Sequence, residues 1–164
     1  MDNNSSSFFT KSNIGLLSQL TNEAIVMNGS YSESVIALWD TGASGTTISE
    51  EIAKKLNLIP TGKQVVHTPA GIKEVNTYLV DIILPNHVRI QDIKVCGSEI
   101  HTQGLGVLIG MDIIGLGDFS VSNYRGITSF TFRIPSQKET NYVQEIRINN
   151  LVGPKHGKGK RKKK

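Results

Sequence analysis

Apolar residues fall along this chain in short clusters rich in Val and Ile, parted by Gly, Asn, Ser and Pro. That rhythm predicts strands and tight turns rather than long helices. Ala24–Met27 and Ser34–Trp39 form a predicted hairpin about Asn28-Gly29, a pair that tolerates positive φ. Thr46–Ile48 is expected as a short strand, with longer ones at Val65–Thr68 and Glu74–Leu84 joined around Pro69-Ala70-Gly71. Val88–Val95 follows. Val107-Leu108-Ile109 is wholly apolar and stopped by Gly110, as suits a strand buried on both faces. Phe119–Asn123 and Ile127–Phe132 make a last predicted hairpin across Tyr124-Arg125-Gly126.

Helical spacing is confined to three places. Ser49–Leu56 has a capping serine, acids in its first turn, lysines in its last, and Ile52, Ala53 and Leu56 on one face. A short helix is expected at Met111–Ile114. The Ser136…Glu139 capping-box pattern ahead of Val143 and Ile146 predicts a helix over 137–148. The alternation Tyr142/Gln144/Ile146/Ile148 equally suits a strand there. The Asn- and Ser-rich start is expected to be mobile, or to dock as an outer strand through Phe8, Phe9 and Ile14-Gly15-Leu16-Leu17. The expected organisation is a flexible segment 1–21, one β domain over 22–135, a helix or strand over 136–152 and a tail over 153–164. No internal repeat is visible.

A length of 164 residues, 38% hydrophobic and 20% charged, suits one soluble domain with a sizeable core. The net charge of +4 is uneven. The tail GPKHGKGKRKKK carries seven Lys/Arg and no acid, leaving 11 Lys/Arg against 14 Asp/Glu on residues 1–152, a net −3. The body is therefore not read as a nucleic-acid binder. The tail itself reads as solvated chain, or as a weak contact to nucleic acid or another anionic surface. Gly157–Arg161 also resembles part of a bacterial zinc tail, but the cysteines that motif needs are missing. Cys96 is the only cysteine, excludes an internal disulfide and is expected to be buried and inert. No apolar run reaches a membrane span, and the start lacks a signal-peptide pattern, so a cytoplasmic protein is expected. His67, His87, His101 and His156 have no metal-ligand spacing.

One stretch carries candidate chemistry: ALWDTGASGTTIS, residues 37–49. A carboxylate directly after an apolar run is costly unless used. As a turn, Asp-Thr-Gly is ordinary chemistry. As a catalytic loop, Asp40 supplies a carboxylate, Thr41 a hydroxyl that fixes the loop, Gly42 room for a substrate backbone, and Ala43 a small wall. Two aspartates sharing a proton can activate a water and protonate a carbonyl; one cannot. Asp-Thr-Gly occurs once, so such a site requires a homodimer.

At these positions the chain resembles the retropepsin-like aspartic proteases. LWDTGAS resembles their active-site loop, and VLIGMDII (107–114) the later motif that packs behind it. HTPAGIKEVNTYLVDIIL (67–84) resembles the flap hairpin, and IVMNGSYSESVIAL (25–38) the hairpin entering the loop. The resemblance covers residues 22–134 and implies an all-β closed barrel, the acid-protease fold, with one or two short helices. It implies an aspartic endopeptidase acting on protein or peptide substrates through Asp40 of two copies. Thr41, Gly42, Ala43 and Ser44 would support the loop, Pro69, Ala70 and Gly71 would form the flap tip, and Leu108, Ile109 and Gly110 would pack behind. No cofactor or metal is implied. Many viral members place an acid at the position of Ser44 and an arginine at that of Met111, as an ion pair. Both are uncharged here, which looks like the bacterial and cellular branch. The alternative within this fold is a catalytically silent dimeric peptide-binding module. Asp112 is expected to cap a helix, and Asp81 and Asp92 to lie exposed on strands.

Overall fold

Burial alternates along the strands as their sequences predict, and that alternation curls the main sheet into a ring. The computed structural model describes residues 5–68, 71–100 and 104–152. The strands are β1 (Ser6–Lys11), β2 (Thr21–Asn28), β3 (Tyr31–Trp39), β4 (Thr47–Ser49), β5 (Gly62–Thr68), β6 (Gly71–Leu84), β7 (Val88–Ser98), β8 (Leu105–Ile109), β9 (Asp118–Ser122) and β10 (Ser129–Ile134). The helices are α1 (Glu50–Lys55), α2 (Met111–Ile114) and α3 (Tyr142–Leu151).

Hydrogen bonding runs β2-β3-β8-β4-β7-β6, and β6 returns to β2, closing a six-stranded barrel. The length of β6 makes closure possible. Its first part, Gly71–Thr77, pairs with β5, while Asp81–Ile83 pairs with β2. Inward positions fill the barrel with Val26, Ala37, Ile48, Ile82, Val95, Val107 and Ile109, nearly all fully buried.

A second, three-stranded antiparallel sheet, ordered β1-β10-β9, covers one side. Its inner face is aromatic: Phe8, Phe130 and Phe132 surround Trp39, and Phe119 stacks on that indole at 4.8 Å and 7°. Phe130 and Phe132 are 1% and 0% exposed, and burying each stabilises the fold by roughly 1.5–3 kcal/mol.

The expected hairpins and helices form, with informative differences. The β2–β3 turn is Gly29-Ser30, with Gly29 at φ +59, because Asn28 already pairs with Tyr31. The N-terminal segment contributes β1 through residues 6–11, so the mobile reading does not hold there. Phe8 supplies the apolar anchor, and Ser12 N–H donates to Thr128 O (2.8 Å). Ile14 and Leu16 stay exposed and form no strand. The final helix starts at Tyr142 rather than 137. Asn141 caps it by accepting from Gln144 N–H (3.0 Å). The Ser136 hydroxyl is drawn instead to Asp118 (2.5 Å), whose carboxylate also accepts from Gln137 N–H and Arg133. Cys96 is buried in β7, and burial pushes its thiol pKa up. Asp81 is not a free strand residue: it accepts from Arg89 and from the Asp92 amide, which sits at φ 51 beside a bulge. Pro69, Ala70, His101 and the tail 153–164 lie outside the described residues.

The Ser136 hydroxyl, the Gln137 amide and the Arg133 guanidinium, in that order of weight, hold the Asp118 carboxyl well below the usual carboxylate range. A depressed folded-state pKa contributes stability that is complete above the unfolded value and lost as pH falls. Asp118→Asn is therefore expected to melt below the parent at pH 7, and the gap in Tm should narrow below about pH 4. A gap independent of pH between 7 and 3 would contradict this linkage.

Candidate active site

β3 ends at Trp39, whose indole N–H donates to Asn22 Oδ1 (2.5 Å) and whose amide donates to Leu20 O (2.9 Å). β3 runs parallel to β8, Trp39 opposite Ile109, and the next amide, Asp40 N–H, still donates to Ile109 O (2.9 Å). Asp40 therefore stands where the chain leaves the barrel, on backbone the barrel still holds.

The loop after it is internally bonded. Gly42 N–H donates to Asp40 Oδ1 (2.8 Å), and Ala43 N–H to Asp40 O (3.2 Å). A Cβ on Gly42 would lie 3.1 Å from that carboxylate oxygen, so glycine here keeps the carboxylate uncrowded. Asp40 and Ala43 are half-buried, while Thr41, Gly42 and Ser44 are exposed. Among the described residues no cation pairs with Asp40, and the Thr41 hydroxyl makes no hydrogen bond. The grooves of about 440 and 820 Å³ that flank β3 are not lined by Asp40. On a single chain it is half-buried, beside the exposed Thr41 and Gly42.

The segment behind the loop is the expected one. Ile109 is fully buried, Leu108 half-buried, and Gly110 approaches so closely that a Cβ there would meet Gly45 backbone at 2.6 Å. That proximity lets Met111 N–H donate to Ala43 O (2.8 Å) and Gly110 N–H to Thr46 Oγ1 (3.1 Å). Ser44 and Met111 form no ion pair; a backbone bond one residue away joins the two segments.

Two residues of this interlock were not legible as site residues. Asp112 accepts from Thr46 N–H (2.8 Å) and Thr46 Oγ1–H (2.7 Å), besides Ile113 N–H (2.9 Å). It sits in the first turn of α2, where a helix-capping role was expected, but both its oxygens also reach the loop. Thr46 is 1% exposed and serves as pivot: its carbonyl also accepts from Cys96 N–H (3.1 Å). No local pattern links residues 66 apart; Asp112, an acid in an apolar run, gave some signal, whereas Thr46 among small and hydroxylated neighbours gave none. The β5–β6 hairpin forms, with Thr68 paired to Gly71, which has φ +119; the expected flap-tip residues Pro69 and Ala70 lie outside the described residues.

A family model described as "gag-polyprotein putative aspartyl protease" matches residues 25–115, more than half of the chain. The chain belongs to this retropepsin-like aspartyl protease family. A retropepsin-like aspartic protease from Rickettsia conorii superposes with a TM-score of 0.52 at 14% identity, covering 80% of this chain and 94% of that one. EIAV protease complexed with the inhibitor HBY-793 gives 0.48 at 16%, over 65% and 92%. The retroviral protease-like domain of Ddi1 from Leishmania major gives 0.45 at 13%, over 70% and 95%. At such identities the likeness is one of fold, and the barrel is the retropepsin-like fold. No curated protein matches the chain.

Gly110→Ala is expected to cost about 1–3 kcal/mol, because rigid backbone must shift. Thr46→Val leaves the Asp112 carboxylate short of a donor and should cost about 1–3 kcal/mol. Urea midpoints of both variants, measured beside the parent, check these values; unchanged midpoints would show that the interlock is slack.

Proposed function

We propose that this chain is an aspartic endopeptidase that works as a homodimer, with Asp40 of each copy forming the dyad. The supporting observation is a half-built site. A preorganised Asp-Thr-Gly loop, bonded inward through backbone, carries a half-buried carboxylate with no cation partner among the described residues, and the sequence holds that motif once.

In this reading one Asp40 takes a proton from a water while the other, protonated, donates to the scissile carbonyl oxygen. The attacking oxygen forms a C–O bond and yields a gem-diol. The diol collapses as the C–N bond breaks, and the leaving amine takes a proton from the dyad. Gly42 admits the substrate backbone. The exposed Thr41 hydroxyls bond across the two-fold axis and lock the loops together. The β5–β6 hairpin closes over the peptide and excludes water.

Asp40→Asn is expected to abolish cuts in a mixed peptide library read by mass spectrometry, while sedimentation shows the same molar mass as the parent. Cleavage that survives the substitution would refute the dyad. A parent that binds peptides without cutting any would indicate the silent binding module instead. A reaction that needs one carboxylate ionised and the other protonated gives kcat/KM a bell-shaped dependence on pH, falling off towards alkali. A rate climbing steadily into alkali would oppose this chemistry.

A further inference from the structure

Beyond β10 the chain leaves the body. Every residue from 135 to 152 is exposed, all of α3 included, so no strand of either sheet covers that helix. It is held by its own bonds: Asn141 caps it, and Val152 N–H donates to Ile148 O (3.0 Å). A helix of ten residues without tertiary cover is marginal in water, so a surface that covers it also stabilises it.

α3 nevertheless carries large apolar side chains. Tyr142, Val143 and Ile146 share one face of its first turns. Ile148, Leu151 and Val152, spaced i, i+3 and i+4, share another at its end. All six are more than half exposed, Leu151 and Val152 at 86% and 74%. At 3.6 residues per turn the two faces point to opposite sides, so a flat surface takes only one. The face of the last turn runs directly into the tail, where residues 153–164 hold seven Lys/Arg and no acid. Residues 1–152 carry a net −3, so attraction to an anionic surface is concentrated at this end.

We propose that the C-terminal end docks on an anionic lipid bilayer through the Ile148-Leu151-Val152 face and the basic tail. Two weak signals add. Apolar side chains enter the headgroup boundary while Lys and Arg meet lipid charge, and either alone binds marginally. α3 is about 15 Å long, half the thickness of a hydrocarbon core, so it lies in the interface rather than spanning it. Nucleic acid would satisfy the charge of the tail equally. It offers three aliphatic side chains no apolar medium, and that face decides for lipid. The proposal stands apart from the dyad reading, because none of these residues belongs to the Asp40 loop or the β5–β6 hairpin.

The test is co-sedimentation of the full chain with vesicles. The chain should pellet with mixed phosphatidylcholine–phosphatidylserine vesicles, stay in solution with pure phosphatidylcholine, and be released by added salt. Leu151→Ser is expected to weaken binding about tenfold or more, since it removes CH2 groups that enter the bilayer. Ile146→Ser, on the opposite face, should bind as the parent does. Removing residues 153–164 should abolish binding. If Leu151→Ser unwinds α3, Val152→Ser, just outside the helix, still reads the loss. A chain that ignores the mixed vesicles overturns the proposal, and so does one that binds a single-stranded oligonucleotide in their place. Equal binding by Leu151→Ser and Val152→Ser overturns it too, because charge alone would then suffice.

Discussion

The backbone of Gly110 touches the backbone of Gly45, and the rest of the site depends on that contact. No side chain fits between the two segments, so their amides and carbonyls bond directly. Met111 N–H reaches Ala43 O, Gly110 N–H reaches the Thr46 hydroxyl, and Asp112 takes the remaining Thr46 donors. Backbone donors that a loop would ordinarily leave to water are satisfied inside the protein. The loop is thereby fixed before any substrate arrives, which catalysis by positioned charge requires.

That contact exists because the barrel brings residues 36–39 and 105–109 side by side in parallel. Parallel neighbours need a long crossover, and the chain between them supplies β4, α1 and the β5–β6–β7 meander. β4 then enters between β8 and β7, antiparallel to one and parallel to the other, with Thr46 just before it. The turn at Asp40 and the turn at Gly110 so leave neighbouring strands at the same end of the barrel. A backbone bond from Met111 N–H to Ala43 O and the Thr46–Asp112 pair join the two segments.

The second sheet ties this centre to the outer surface. Trp39 is held by Asn22 on β2 and stacked by Phe119 on β9, so the strand bearing Asp40 and the sheet edge share one aromatic cluster. Within that cluster Phe130 and Phe132 on β10 are fully buried, and Phe119 on β9 is half-buried.

The sequence by itself determined the strands, the two short helices and the residues of the Asp40 loop. Alternating burial, turn glycines and the Ser49 cap act between near neighbours and leave a readable pattern. The apolar run before Gly110 was legible for the same reason. Tertiary structure alone decided how Asp112 is used, since its partner Thr46 is 66 residues away and no local preference links them. It also decided that Phe8 orders the N-terminal strand, which needed the aromatic cluster of β9 and β10 to be assembled first. The start of α3 moved for a like reason. Ser136 is chemically able to cap a helix, but the Asp118 carboxylate on the neighbouring strand β9 competes for its hydroxyl and takes it.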